Sequence, residues 1–219
     1  MLEVGGVQIT WLGHDGFKLQ KGAVVYIDPY KLGSAAEPAD VVCVTHEHFD
    51  HLSVEDLTRV VTPRTTVVTI AACAEAVRGL HPGAVHLVKP GDRVEAKGIS
   101  VDVVPAYNTN KFRSPGKPFH PQTEGKVGYV IGIGGLRIYH AGDTDQIPEM
   151  EAVAGVDVAL LPVSGTYVMT AAEAVTACGV IRPKVAIPMH YGAIVGSTAD
   201  AEQFRSGAPC RVEVLAPLA

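Results

Sequence analysis

The stretch Thr45-His46-Glu47-His48-Phe49-Asp50-His51 puts three histidines and an aspartate into six positions, directly after the apolar run Val41-Val42-Cys43-Val44. Imidazole and carboxylate are the donors that a borderline divalent ion such as zinc takes up. A metal site at the end of a buried strand is therefore the chemistry this spacing suggests, with a histidine-rich polar loop or a purely structural metal as the alternatives. Two later apolar runs also end in polar residues. Residues 136–139 lead into His140-Ala141-Gly142-Asp143-Thr144-Asp145, and residues 184–188 lead into Met189-His190-Tyr191-Gly192. Strand ends on one edge of a sheet are where loops meet and ligands converge. The candidate set is His46, His48, Asp50, His51, Asp143 and His190.

Whether those residues can meet depends on the elements that carry them. Val7-Gln8-Ile9-Thr10-Trp11-Leu12 alternates apolar and polar and predicts a strand, interrupted by Gly13-His14-Asp15-Gly16. Residues 17–19 and 23–27 flank a Lys21-Gly22 turn and predict a hairpin, stopped by Asp28-Pro29. After a loop over 31–38, residues 39–44 read as a strand buried on both faces. Ser53 then caps a helix to about residue 60, and a strand over 66–70 and an alanine-rich helix over 72–80 follow. Short strands are expected at 85–88, 93–96 and 99–104, and a hairpin at 127–133 and 136–139. Asp145 is placed to cap a helix through Glu149 and Met150. Residues 156–161 form another buried strand, and the capping box Thr170-Ala171-Ala172-Glu173 opens a helix to about 178. A strand at 184–188, a short helix from Ser197 through Phe204 and a strand at 211–215 close the chain. Residues 39–44 echo residues 156–161, which hints at two similar halves. The expectation is one α+β domain over residues 1–219, made of two packed sheets with helices outside.

Composition narrows the function classes. With 47% hydrophobic and 19% charged residues, the 219-residue chain is of globular type, and a net charge of -5 gives no reason to expect nucleic acid. No secretory signal and no apolar run long enough to cross a bilayer is visible. Cys43, Cys73, Cys178 and Cys210 are widely separated and form no C-x-x-C, so reduced thiols in a soluble cytoplasmic protein are expected.

The H-x-H-x-D-H spacing of His46, His48, Asp50 and His51, followed by Gly142-Asp143 and His190, resembles the metallo-β-lactamase superfamily. The likeness covers nearly the whole chain, including Gly13-His14 and Ile27-Asp28-Pro29. Trp11-Leu12-Gly13-His14, Pro105-Ala106 and Gly142-Asp143-Thr144 are similar, more narrowly, to small metal-dependent hydrolases related to the ascorbate-phosphate lactonase and N-acyl-phosphatidylethanolamine phospholipase D groups. The resemblance implies a four-layer αββα sandwich of two mixed sheets. It implies that His46 and His48 bind one divalent ion, that Asp50, His51 and His190 bind a second, and that Asp143 bridges them. Zinc is the expected metal, with manganese or iron as alternatives, bound as one or two ions per chain. A hydroxide between the ions would attack a phosphodiester, lactone or related ester bond, and Asp50 would orient it or receive its proton.

One departure from the pattern stands out. The family usually supplies a third histidine to the first ion, after a strand equivalent to residues 99–104, but here Asn108 follows Pro105-Ala106-Tyr107. Either the harder Asn108 carbonyl fills that position, or His120 loops back to it. Asp28 is read as holding the ligand loop by hydrogen bonds from behind. His14 is a turn residue or lines the cleft, and His140 packs behind the ligands. Tyr191 is either a donor to an oxyanion or a core residue. His81 and His86 read as surface. Residues 108–126 hold three prolines, two glycines and Lys111, Arg113, Lys117 and Lys126 against a single Glu124. So long a loop is read either as a solvated connection or as a lid that offers Lys111, Arg113 and Lys117 to an anionic small molecule. No nucleic acid and no membrane insertion is expected. Against the hydrolase stand a non-catalytic metal-binding protein and a di-iron redox protein. The redox group typically carries a glutamate where His48 stands, and often a fused flavin domain.

Overall fold

Each half of the chain builds one seven-stranded sheet, in a computed structural model that describes residues 1–33 and 36–218. Part of the predicted 31–38 loop therefore lies outside the described residues. The first sheet runs in chain order through β1 (Leu2–Val4), β2 (Val7–Gly13), β3 (Gly16–Gln20), β4 (Val24–Ile27), β5 (Val41–Val44), β6 (Thr66–Thr69) and β7 (Ala84–Leu87). Next come β8 (Arg93–Ala96), β9 (Ile99–Pro105), a small separate hairpin of β10 (Phe112–Ser114) and β11 (Lys117–Pro118), then β12 (Val127–Ile133), β13 (Leu136–His140), β14 (Val158–Pro162), β15 (Val185–Met189) and β16 (Arg211–Val212). The second sheet takes the order β16-β15-β14-β13-β12-β9-β8.

The two sheets share a plan. β1 to β4 pair antiparallel and β5 to β7 add in parallel; β8, β9, β12 and β13 pair antiparallel and β14 to β16 add in parallel. β5 and β14, whose sequences echo each other, are in each case the first parallel strand. Both are buried along their whole length, as parallel strands covered on two faces must be. Buried residues of the two sheets form one continuous core. Tyr129 of β12 ties them directly, donating its hydroxyl to the Val44 carbonyl at 2.7 Å, which satisfies a polar group in an otherwise apolar layer.

The helices flank the two sheets, in keeping with the expected α+β sandwich. α1 (Val54–Val60) starts at Ser53, whose hydroxyl accepts from the Asp56 amide. α2 (Ala74–Arg78) is shorter than its alanine run predicts because Ala71–Cys73 winds as a 3-10 turn. α3 (Ala171–Ile181) outruns its predicted end by a turn, and α4 (Thr198–Gly207) opens at a second capping box on Ser197. α3 packs on β14 and α4 on β15, while α2 packs on β7.

Three expectations are corrected. Residues 108–126 are not structureless, since they contain the β10–β11 hairpin and the 3-10 turn Gln122–Glu124. Asp145 caps no helix: its carboxylate accepts from the amides of Thr109 (2.7 Å) and Asn110 (2.8 Å), and the 3-10 helix Pro148–Val153 has no side-chain cap. The final strand stops at Val212, short of the predicted 215.

Lys111 anchors this segment, with Nζ 2.7 Å from Glu173 Oε2 and 3.4 Å from Asp145 Oδ1. Burial alone would raise the Glu173 carboxyl, but hydrogen bonds from Lys111 and the Thr170 amide hold it down to about 2. A depressed acid stabilises the fold above its unfolded value and loses that contribution on acidification, here between the ordinary 4.5 and about 2. Glu173→Ala is therefore expected to cost about 1–2 kcal/mol near neutral pH through the lost cap and ion pair. It should also flatten the acid limb of stability in that window, which urea titrations across pH would read.

Candidate metal centre

The candidate residues meet at one edge of the sandwich because each follows a strand end. His14 and Asp15 follow β2, Asp28 follows β4, Thr45 to His51 follow β5, Asp143 follows β13 and His190 follows β15. Three of them, His14 (φ 51°), Asp28 (φ 43°) and His190 (φ 59°), adopt left-handed backbone that non-glycine residues rarely use. The same conformation also occurs at Lys31, His81, Lys97 and Arg182, so it marks sharp turns in general.

Two overlapping groups share Asp143. His46, His48, His120 and Asp143 bring ligand atoms within 4.8 Å of one another, and so do Asp15, His51, Asp143 and His190. A third such set, His14, Asp50, His51 and His190, overlaps the second. Asp143 Oδ2 lies 3.3 Å from His120 Nε2, 3.5 Å from His190 Nε2 and 3.9 Å from His46 Nε2, while Oδ1 lies 3.4 Å from His51 Nε2. Asp50 is in reach of the second group, with Oδ2 2.9 Å from His14 Nε2 and 3.9 Å from His51 Nε2.

The imidazoles are aimed by partners on their far nitrogens. His51 Nδ1 donates to Asp28 (2.8 Å), His120 Nδ1 to the Asn108 side-chain oxygen (2.9 Å), and His46 Nδ1 meets the Thr45 hydroxyl (3.0 Å). Ser164 Oγ holds His190 Nδ1 at 2.9 Å. Each of these four rings thus turns Nε2 toward the centre, the arrangement that fixes a metal-binding tautomer. His48 instead turns Nδ1 inward, 3.0 Å from His46 Nε2. Among the described residues, the buried side-chain polar atoms without a hydrogen-bond partner are His14 Nδ1, both Asp15 oxygens, His51 Nε2, Asp143 Oδ1 and His190 Nε2. All of them lie at this site. Buried polar atoms are normally paired, so this concentration fits residues shaped for a cation.

Charge divides the two groups. Burial lowers His46, and His48 likewise, and it pushes His120 down to about 4, so these imidazoles offer neutral lone pairs. Burial also works against charge on His51 and His190, but Asp143 with Asp28 raises the former, and Asp143 with Asp15 lifts the latter to about 9. Burial would raise Asp143, yet His51 and His190 hold it well below the carboxylate range. One group is prepared neutral and the other as an ion-paired cluster.

Other expectations resolve as follows. His120 does loop back beside His46 and His48. Asn108 is turned away from the centre: its oxygen also accepts from the His120 amide at 2.8 Å, and its amide donates to the Tyr167 carbonyl at 2.8 Å. It positions His120 and is not itself among the converging donors. Asn108→Ala should therefore weaken zinc binding about 10- to 100-fold, measured by competition with a chromogenic chelator, because groups that orient a ligand carry effects of that size. Asp28 lies beneath the ligand loop, its carboxylate accepting from the Thr45 amide at 2.8 Å and from His51 Nδ1 at 2.8 Å. His140 packs away from the centre, with Nε2 2.8 Å from the Asp15 carbonyl. His81 and His86 are exposed.

Lys111 is spent on Glu173 and Asp145, and Arg113 lies over the Phe119 ring at 5.7 Å. Neither lines the cleft, and Lys117 is exposed on the hairpin. Tyr191 stacks on Trp11 at 4.8 Å and is 4% exposed, a core contact outside the cleft lining. The cleft beside both groups measures about 280 Å³. Its polar floor is His48, Asp50, His120 and Asp143, and its walls are Phe49, Phe119, Tyr167 and Ile194. Asp15, Ser164 and the apolar walls were not singled out in the sequence. For Asp15 the available signal was an acid beside His14 in a glycine-flanked turn.

A family model described as a beta-lactamase superfamily domain matches residues 8–190. A metal-dependent hydrolase from Methanosarcina mazei is 31% identical over 219 residues, covering 94% of this chain and 93% of the relative. One from Methanopyrus kandleri is 35% identical over 212 residues, covering 91% and 90%. Among solved structures, a candidate metal-dependent hydrolase from Parabacteroides distasonis superposes with a TM-score of 0.78 at 30% identity, covering 95% of this chain and 92% of the other.

Proposed function

The chain belongs to the beta-lactamase superfamily, and from that premise we propose that it is a metal-dependent hydrolase with two ions, cleaving an ester-type bond that adjoins an apolar group. The observation that carries this reading is Asp143, a carboxylate shared by two His/Asp groups at the floor of a cleft. His46, His48, His120 and Asp143 would hold one ion, and Asp143, Asp50, His51 and His190 the other. Imidazole and carboxylate donors favour zinc, with manganese or iron as alternatives. Such ions, when bound, lower the pKa of water and stabilise negative charge that builds on oxygen.

The chain's own residues supply the rest. Asp50, held by His14 at 2.9 Å, faces the cleft and can accept a proton from the attacking water. Phe49, Phe119, Tyr167 and Ile194 would seat the apolar part of a small-molecule substrate and thin the water around the reacting bond. The committed ion pairs of Lys111 remove the strongest argument for an anionic substrate. Carboxylic esters and lactones with apolar substituents therefore rank ahead of phosphodiesters. No described helix is long and apolar enough to cross a membrane. A cytoplasmic setting, where the four free thiols stay reduced, completes the proposal.

Protein purified without added metal should carry close to two ions per chain and hydrolyse members of an ester, lactone and phosphodiester panel. His48→Ala should abolish turnover. Full metal content with no turnover across the panel would favour a non-catalytic metal protein instead.

A further inference from the structure

We propose that Asp15 is a direct ligand of the second ion, forming with His51, Asp143 and His190 a four-atom shell at the buried end of the site. The inference deepens the two-ion reading above and rests on it, giving Asp15 the place around the second ion that the reading gave to Asp50. Asp15 is fully buried, and neither of its carboxylate oxygens has a hydrogen-bond partner among the described residues. Its backbone is pinned from the other sheet, because the Asp15 carbonyl lies 2.8 Å from His140 Nε2. A buried carboxylate left unmatched is a costly group to keep, so its oxygens call for a positive partner.

The neighbouring atoms say what that partner is. Asp15 Oδ2 lies 3.7 Å from His51 Nε2 and 3.8 Å from His190 Nε2. Asp143 Oδ1 lies 3.4 Å from the first nitrogen and Asp143 Oδ2 3.5 Å from the second. A tetrahedral ion with bonds of about 2.0–2.2 Å needs ligand atoms about 3.3–3.6 Å apart, and each of these distances lies within or just beyond that range. His51 Nε2, His190 Nε2 and Asp143 Oδ1 are themselves unpartnered, so the four residues that share this spacing share the same deficit. The nearest cation-capable group outside the set is His14, whose Nε2 lies 3.5 Å from Asp15 but only 2.9 Å from Asp50. His14 is thus spent on Asp50, which leaves Asp15 for the ion. Asp50, farther from His51 and on the cleft side, is then free to meet substrate and proton.

The test is zinc content and affinity in the full chain, measured by elemental analysis and chelator competition, with the cobalt(II) absorption spectrum as a second readout. Wild type should bind two ions. Asp15→Asn, close in shape, and Asp15→Ser should keep the first ion, an internal check that the site still folds. Both should bind the second about 100-fold or more weakly and lose its share of the tetrahedral cobalt bands. Two ions at unchanged affinity in both variants would overturn the inference and leave the two-ion reading intact. So would release of the second ion by Asp50→Asn but not by Asp15→Asn. A wild-type chain that binds fewer than two ions would overturn the reading itself and the inference with it.

Discussion

Asp143→Ala is expected to lower kcat/KM by about 10³-fold or more and to strip both ions in chelator competition. That loss exceeds the roughly 10- to 100-fold effects of residues that only orient a ligand. The reason is geometric. Asp143 stands within 4 Å of His46, His120, His51 and His190, so it is the carboxylate common to both groups. Without it each group keeps imidazoles but loses its shared anion, and the charge that would balance two cations falls together with the bridge. Placement of this carboxylate depends on Gly142, whose φ of 63° and close approach to the Val127 carbonyl, 2.6 Å from where a Cβ would stand, exclude larger residues. Asp143→Asn separates charge from shape, since the amide keeps one oxygen but cannot bridge as an anion. It should bind ions more weakly than wild type and hydrolyse little. An Asp143→Ala protein that retains two ions and near-normal turnover would sink the two-ion reading.

What the sequence made legible was local in the chain. His46, His48, Asp50 and His51 lie in one loop after β5, and Asp143 and His190 follow other buried runs, so strand patterning put each at a strand end and the family resemblance joined them into one site. The sheets were legible for the same reason, through alternation in β2 and continuous apolar runs in β5, β14 and β15. What stayed hidden depends on partners far away in sequence. His120 sits in an irregular segment whose path is set by Asn108 and by the Lys111–Glu173 pair, the latter spanning 62 residues. With that partner out of view, Lys111 read as a group awaiting an anion. Asp145 has the right residue type to begin a helix, yet it binds the backbone of Thr109 and Asn110 instead. Tyr191 follows a ligand residue directly, but its ring is claimed by Trp11 from the other end of the chain. In each case tertiary contacts outweighed a correct local preference.

Asp28 carries the second large effect, and its two substitutions should part company. Its buried carboxylate accepts from the Thr45 amide at 2.8 Å, the Thr45 hydroxyl at 2.6 Å and His51 Nδ1 at 2.8 Å. Asp28→Ala leaves all three donors buried and unanswered, at about 1–3 kcal/mol for each unsatisfied group before relaxation. Alanine must also adopt the left-handed backbone, φ 43°, at a further cost of about 1–2 kcal/mol. Relaxation returns part of that sum, so a loss of about 3–5 kcal/mol is expected, seen as a fall in the urea midpoint at unchanged slope. Asp28→Asn tolerates the backbone and retains an oxygen for the Thr45 amide, so the fold should lose only about 1–2 kcal/mol. Its NH2, however, faces His51 Nδ1 and donates where the carboxylate accepted. The His51 proton then moves to Nε2, the atom that has to present a lone pair toward Asp143. The asparagine variant should therefore fold but bind the second ion about 10- to 100-fold more weakly, with hydrolysis falling in step. Should Asp28→Asn bind both ions as tightly as wild type, the link from Asp28 through His51 to the metal centre would fail, whatever the alanine variant does to stability.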